Sequence, residues 1–430
     1  LKHAATLTEK IIARAAARER VMPGDVVMAE VDFAFAHDSS GPRRWGPMLA
    51  EMGASILHPE RLAVVSDHYV PAADADSAAI LKLTREFARE NSIENFFDGV
   101  GICHTVLPER GLIRPGAFIA GGDSHTPTAG AFGAFATGFG ATDMAAIVAT
   151  GETWIQVPAT LRVEFDGILP RGITAKDLML MLIHELGMDN AFRVIEYGGS
   201  AVHAMSMGER MVLCNMAAEL GADSGVIAAD QTTFDYLAAT GRPVEDTATA
   251  LALASDSDAG FESVRRFDAA DITPYIAAPH SPENSRPVSE HAGARIDIAY
   301  IGACVGAKLG DLRMAAEILR DRKVSPGVRL VVAPASTNTT RLAAEEGTLG
   351  VLLEAGAILQ ASGCGACAGY GGGVLAEGEI CISTTNRNFR GRMGDRGSFV
   401  YLGSPYSVAA AAVAGHIIDP RSLLSATRAA

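Results

Sequence analysis

Six cysteines, Cys103, Cys214, Cys304, Cys364, Cys367 and Cys381, are spread through a chain of 430 residues. Two of them form a Cys-x-x-Cys hemmed by glycine, SGCGACAGYGGG at residues 362–373. Alone, such a pair suits half a zinc site or a redox dithiol as well as a cluster. Cys304 ends an apolar run at a glycine turn 60 residues upstream. A structural zinc wants a fourth ligand close by in sequence, usually a second paired motif, and none is present. Three thiolates suit an iron–sulfur cluster in which one iron has no protein thiolate. Such an iron is open to substrate and acts as a Lewis acid. Cys103, Cys214 and Cys381 read as small buried hydrophobes.

A second set consists of histidines beside carboxylates. Asp67-His68, Cys103-His104 and Asp123-Ser124-His125 each follow an apolar run. A carboxylate fixes the tautomer of a neighbouring imidazole and raises its pKa, so the ring can hold a proton near neutrality and pass it to a leaving hydroxyl. Asp67, Asp123 and Glu219 are the candidate orienting carboxylates. Asn215 and Glu219 are spaced i, i+4 on a predicted helix and share a face, a spacing equally suited to a solvated surface. Finally, STTNRNFRGRMGD at residues 383–395 sets Arg387, Arg390 and Arg392 among Asn and Gly. It is either a solvated loop or a set of guanidinium forks that clamp carboxylates. Its place about 20 residues after the Cys-x-x-Cys favours the clamp.

The elements that must carry these residues alternate in type. LTEKIIARAAARE has helical apolar spacing with Thr8 able to cap it, and GDVVMAEVDFAFAHD becomes strand-like. LAVVSDHYVP is another apolar run, SAAILKLTREFAREN an amphipathic helix, and GLIRPGAFIAGGDSHTP a short strand pair. LRVEFDG reads as a strand, RGITAKDLMLMLIHELG as a helix capped by Thr174, and MSMGERMVLCNMAAELGADSGVI as a further helix. TPYIAAPHSPENSRPVSEHAG, with four Pro, reads as a crossing between domains. RIDIAYIGACVGAKLGDLRMAAEILRD, VRLVVAPAS and GAILQASGCGACAG then start three strand–turn units. The expected fold class is α/β, with mostly parallel sheets flanked by helices. Three α/β domains are expected, at 1–160, 161–285 and 286–430, the last holding the cluster cysteines. Ligands bind such sheets beyond the carboxyl ends of the strands, where these polar residues fall.

Composition narrows the classes. A net charge of −14 without basic runs disfavours nucleic acid and anionic membrane as partners. The 45 glycines against 6% aromatics fit a cleft lined by loops. LKHAATLTEK has no apolar leader-like core, and the charge-free stretch Thr126–Thr142 is short for a membrane span. The expectation is a soluble cytoplasmic protein without disulfides.

GGDSHTPTAGAFGAFATGFGATD, GCGACAG and TTNRNFRGRMG, with a lone cysteine after a strand between the first two, resemble the aconitase superfamily. The likeness runs from HDSSGP near residue 37 to the last helix. It is strongest to large subunits of the isopropylmalate dehydratase and homoaconitase type. The resemblance implies three domains around a central cleft and a [4Fe–4S] cluster on Cys304, Cys364 and Cys367. It implies an Asp67–His68 pair, His104 with Asp123, His125 with Glu219, and Ser124 inside the DSH motif. Asn215 and Asn386 match cluster-side asparagines, and Arg387 and Arg392 match binders of substrate carboxylate. Arg390 has no such match. The implied activity is dehydration and rehydration of a 2-hydroxy di- or tricarboxylate, with 2- and 3-isopropylmalate first and homoaconitate or a methyl-substituted malate as alternatives. A cluster-free binding or regulatory relative is an alternative of another class. The family's swivelling domain, with its Gly-Ser-Ser-Arg motif and base serine, has no counterpart in this sequence, so a separate small subunit is implied. The family's Gly-Ser-Cys-Thr-Asn-x-Arg string reads GACVGAK here, with Val305, Gly306 and Lys308 replacing Thr, Asn and Arg.

Overall fold

The computed structural model describes residues 4–424. Three largely parallel sheets organise the chain. The first has five parallel strands in the spatial order Asn95–Asp98, Leu62–Ser66, Phe33–His37, Phe118–Gly121, Phe135–Gly138. The chain starts at the centre, builds outward on one side, then returns to build the other. That reversal opens a crevice at the carboxyl ends of Phe33–His37 and Phe118–Gly121, the expected ligand position in an open α/β sheet. An antiparallel ribbon, Val26–Glu30 with Glu152–Gln156, stands beside it.

The second sheet has four parallel strands, ordered Ser224–Val226, Arg193–Gly198, Ala159–Asp166, Ser263–Asp268. Seven strands form the third: Ser285–Pro287, Tyr275–Ala277, Phe399–Leu402, Ile380–Ser383, Ile298–Ile301, Arg329–Val332, Ile358–Leu359. Its five parallel members again start centrally, at Ile298–Ile301, and reverse. The second crevice therefore lies at the carboxyl ends of Ile298–Ile301 and Ile380–Ser383. The α/β class expected from the alternation is the class observed.

Both crevice-forming sheets bury their strands on two faces, which explains why these runs read as continuously apolar and not as alternating. One contiguous core joins all three sheets, from Phe33 through Phe165 and Leu213 to Ile301 and Val408. The 3₁₀ segment Thr126–Phe132 seats the first sheet on the second. A Cβ on Gly130 would lie 1.9 Å from the Gly225 carbonyl oxygen, so the two backbones approach where no side chain fits.

Several local expectations are corrected. Thr6, not Thr8, caps the first helix, Leu7–Ala15, in a reciprocal box with Glu9; Thr8 is inside the helix and buried. Thr174 caps Ala175–Leu186 as expected, with Asp177 completing the box. Within GLIRPGAFIAGG only Phe118–Gly121 is a strand, because Pro115 and the left-handed Gly116 break the preceding run. The Pro-rich stretch is not a bare crossing. It supplies the hairpin Tyr275–Ala277/Ser285–Pro287 at a sheet edge, where proline's missing N–H is tolerated. His104 lies in the first turn of the helix Cys103–Glu109 and not at a strand end. The helix carrying Asn215 ends there, and a 3₁₀ turn, Met216–Ala218, delivers Glu219.

Candidate active site

Strand ends of the first sheet supply the imidazoles. Asp67 and His68 follow Leu62–Ser66, and the Asp67 carboxylate accepts from His68 Nδ1 at 2.6 Å. The other Asp67 oxygen accepts the Cys103 N–H at 2.7 Å, tying the start of the next helix to the same carboxylate. This pairing leaves His68 Nε2 without a hydrogen-bond partner among the described residues. Asp123 collects three partners: His104 Nε2 at 2.7 Å, the His125 N–H at 2.7 Å and His37 Nε2 at 3.3 Å. Burial alone would raise its pKa, but His104 and hydrogen bonds from all three histidines hold it well below the usual carboxylate range. Asp67 is likewise held low, burial being outweighed by His68 and His37.

Glu219 reaches this group from the second sheet. Its Oε1 is 2.9 Å from His125 Nε2 and accepts from Arg387 Nε at 2.8 Å. Its Oε2 is buried without a hydrogen-bond partner among the described residues. Burial acts on His125 first and against protonation, but Glu219 and Asp123 overcome it and raise the imidazole's pKa. Arg387 is one-fifth exposed, and among the described residues only its Nε is engaged, leaving both terminal nitrogens for a ligand.

Loops of the third sheet supply the thiols. Cys304 follows Ile298–Ile301, Asn386 and Arg387 follow Ile380–Ser383, and Cys364 and Cys367 follow the edge strand Ile358–Leu359. Asn386 Oδ1 lies 3.9 Å from both Cys304 Sγ and Cys367 Sγ. Asn215 Nδ2 donates to Cys304 Sγ at 3.2 Å, and Asn386 Nδ2 donates to Asn215 Oδ1. The Cys364 N–H donates to the Asp67 carbonyl at 2.8 Å, which docks the thiol loop on the imidazole sheet. All six cysteines are free. Cys103, Cys214 and Cys381 are buried, as small apolar residues would be.

A cationic cofactor fits the three thiols. Burial pushes Cys304 up to about 12 and Cys364 well above the usual thiol range, and the neighbouring thiols add to both shifts. The charge of a bound metal centre would reverse this preference and hold them as thiolates. Among the described residues, the groups compact enough to hold one ion are His37–Asp38–Asp67–His68 and His104–Asp123–His125, and the thiols are not one of them.

Other expected residues do not join these pairs. Ser124 is exposed, and among the described residues its side chain bonds none of these groups. Arg392 is half-buried with Nε buried and unpartnered, and it does not join Glu219. Arg390 is exposed. The sequence reading passed over His37 and Asp38. His37 stacks on His68 at 3.9 Å between ring centroids and 16° between planes. Asp38 accepts from the His68 and Tyr69 N–H groups. The signal was available, since His37 ends a fully buried strand and Asp38 follows it, as Asp67 and His68 follow theirs.

The altered turn after Cys304 is well built. A Cβ on Gly306 would fall 2.1 Å from Thr384 Cβ, so glycine makes room for that side chain. Thr384 Oγ1 in turn bonds the backbone of Gly302. Lys308 Nζ donates to the Cys304 carbonyl at 3.1 Å and to Asp311 at 2.7 Å, fixing the helix Leu309–Leu319 behind the thiol.

The model of the Aconitase family (aconitate hydratase) matches residues 9–295 and 290–415. This chain belongs to the aconitase family. Within that family it is 46% identical to the 3-isopropylmalate dehydratase large subunit 1 of Methanopyrus kandleri, over 97% of this chain and 99% of that protein. It is 45% identical to the methanogen homoaconitase large subunit of Methanocaldococcus jannaschii, over 96% and 99%. To the probable methanogen homoaconitase large subunit of Methanothermobacter thermautotrophicus it is 45% identical, over 96% and 97%. Membership makes the chain an enzyme of the aconitase type, a hydro-lyase. Among the described residues no helix is long and apolar enough to cross a membrane.

Proposed function

We propose that this chain is the catalytic large subunit of a two-chain hydro-lyase that moves water on a 2-hydroxy di- or tricarboxylate. The observation that carries this is the meeting of three free thiols, paired histidines and Arg387 at two facing sheet crevices. Cys304, Cys364 and Cys367 would hold a [4Fe–4S] cluster, which supplies a Lewis-acidic iron for the substrate's oxygens. Arg387, anchored through Nε to Glu219, presents its terminal nitrogens as a fork for a carboxylate. His68, oriented by Asp67, gives its Nε2 proton to the departing hydroxyl, which leaves as water. The Asp123 and Glu219 pairs keep His104 and His125 oriented on the same cleft. Arg392 is a second carboxylate binder in this reading, and Asn215 and Asn386 orient the thiols.

The base that takes the carbon-bound proton belongs to a separate small subunit, a reading supported by relatives named as large subunits. The first substrate is the 2-/3-isopropylmalate pair. Homoaconitate stands close behind, because relatives named for both activities are nearly equally similar. The well-packed GACVGAK turn supports a retained cluster over the cluster-free alternative. Anaerobic reconstitution should load about four irons per chain, and Cys364→Ser should abolish that. Screening 2-hydroxy diacids with a small subunit supplied identifies the substrate. Stoichiometric zinc, or iron uptake indifferent to Cys364→Ser, would overturn the reading.

A further inference from the structure

Lys176 is a charged side chain that the proposed chemistry leaves unused. It occupies the first turn of the helix Ala175–Leu186 in the second sheet's layer and is 1% exposed. A buried lysine survives only where something holds its charge. Here Nζ donates to the Thr385 carbonyl at 2.7 Å and lies 3.4 Å from that of Thr384. Those carbonyls directly precede Asn386, which touches Cys304 and Cys367, and Arg387, which pairs with Glu219. The neighbouring Asp177 does not neutralise the ammonium by contact. Its carboxylate turns back to Thr174 and the Tyr275 N–H. Burial, the largest influence, lowers the lysine to about 8, and attraction to Glu219, Cys367 and Cys304 opposes that fall. A fixed positive charge thus stands behind the loop on which the thiols converge, bonded to backbone and not to any ligand.

We propose that Lys176 is a positioning residue for the cluster site, its ammonium fixing the Asn386–Arg387 loop and offsetting the negative charge of the thiolates. The proposal rests on the reading of Cys304, Cys364 and Cys367 as cluster ligands. It makes two separable contributions: a hydrogen bond to the loop and a charge near the iron.

Three variants separate them. Lys176→Gln keeps a donor for Thr385 but loses the charge, Lys176→Met loses both, and Lys176→Arg keeps the charge. Each is reconstituted anaerobically in the full chain, counted for iron, and titrated with a chemical reductant to its midpoint potential. Removing a nearby positive charge disfavours an added electron. Gln and Met should therefore shift the potential to more negative values by a similar amount, while Arg stays near wild type. Chelator-driven iron loss should quicken roughly tenfold or more in Met, the effect of deleting a charge-assisted hydrogen bond, and less in Gln. Variants that hold no cluster although their apo chains melt like wild type would support the proposal in stronger form. Potentials shared by wild type, Gln and Met would overturn it, whatever happens to the melting temperature. A wild-type chain that takes up no iron instead overturns the ligand reading, and this appears in the control before any variant is compared.

Discussion

Arg387 and Arg390 are three residues apart yet belong to different environments, one bonded to a buried carboxylate and one exposed. Arg387→Lys keeps the charge but loses the fork. In an active two-chain enzyme it should cost about 1.5–3 kcal/mol, roughly 10- to 150-fold in kcat/KM. Arg390→Lys should be nearly silent, and equal losses at the two positions would place the carboxylate grip elsewhere. His125 gives a pH-dependent test. Its folded pKa lies above the ordinary value of 6.5, so the pair's stabilising contribution is complete below pH 6.5 and fades as pH rises through the raised value. Glu219 is shifted the opposite way, below 4.5: burial is outweighed by His125 and Arg387, and its contribution fades as pH falls through the lowered value. The pair is thus strongest between about pH 4.5 and 6.5. His125→Gln should destabilise by about 1–3 kcal/mol there, less than stranding a buried charge would cost, because Arg387 still pairs with Glu219. Urea unfolding of both proteins at pH 5.5 and pH 9 should show a smaller difference at pH 9.

At the scale of elements, the turn between Ile298–Ile301 and Leu309–Leu319 carries a thiol on a tightly packed bend. Gly306→Ala places a methyl against Thr384, which already uses its hydroxyl on Gly302. Overpacking of this kind costs about 1–3 kcal/mol, and iron retention should fall with it. Gly310→Ala, four residues on and with open space around its Cβ, is the matched control. It lies in the first turn of that helix, where Ala in place of Gly should stabilise by about 0.4–1 kcal/mol. Thermal melts of the two apo variants check both signs, and a stable Gly306→Ala would mean that Thr384 moves freely.

For the molecule as a whole, the site is a composite of three sheets with one core. The imidazoles come from the first, Asn215 and Glu219 from the second, the thiols and Arg387 from the third. In the proposed reaction the base for the carbon-bound proton lies on the small subunit. The pure chain, reconstituted with iron, should accordingly bind a 2-hydroxy diacid but not turn it over until a small subunit is added. Mixing experiments followed by absorbance of the unsaturated product measure this. Turnover by the single chain, unchanged by a partner, would show that the base is already present here.

The residue types and strand ends were legible in the sequence because local pattern encodes them. Apolar runs buried on both faces announce parallel strands, and polar residues just beyond them announce the crevice. Thr174 as a cap was readable for the same reason, a cap being a contact over three residues; its box with Asp177 came from the structure. Thr6 was missed in favour of Thr8 because both types can cap and only the packed helix shows which one lies outside it. Other features depended on contacts far apart in the chain. Glu219 serves His125 and Arg387 across 94 and 168 residues, and Asn386 meets Cys304 across 82. Lys176 gave no sequence signal, since its partners are backbone carbonyls 208 and 209 residues away. Spacing along one helix or strand states which face a residue takes. Which face of another sheet it then meets is decided by how the three sheets pack on a common core.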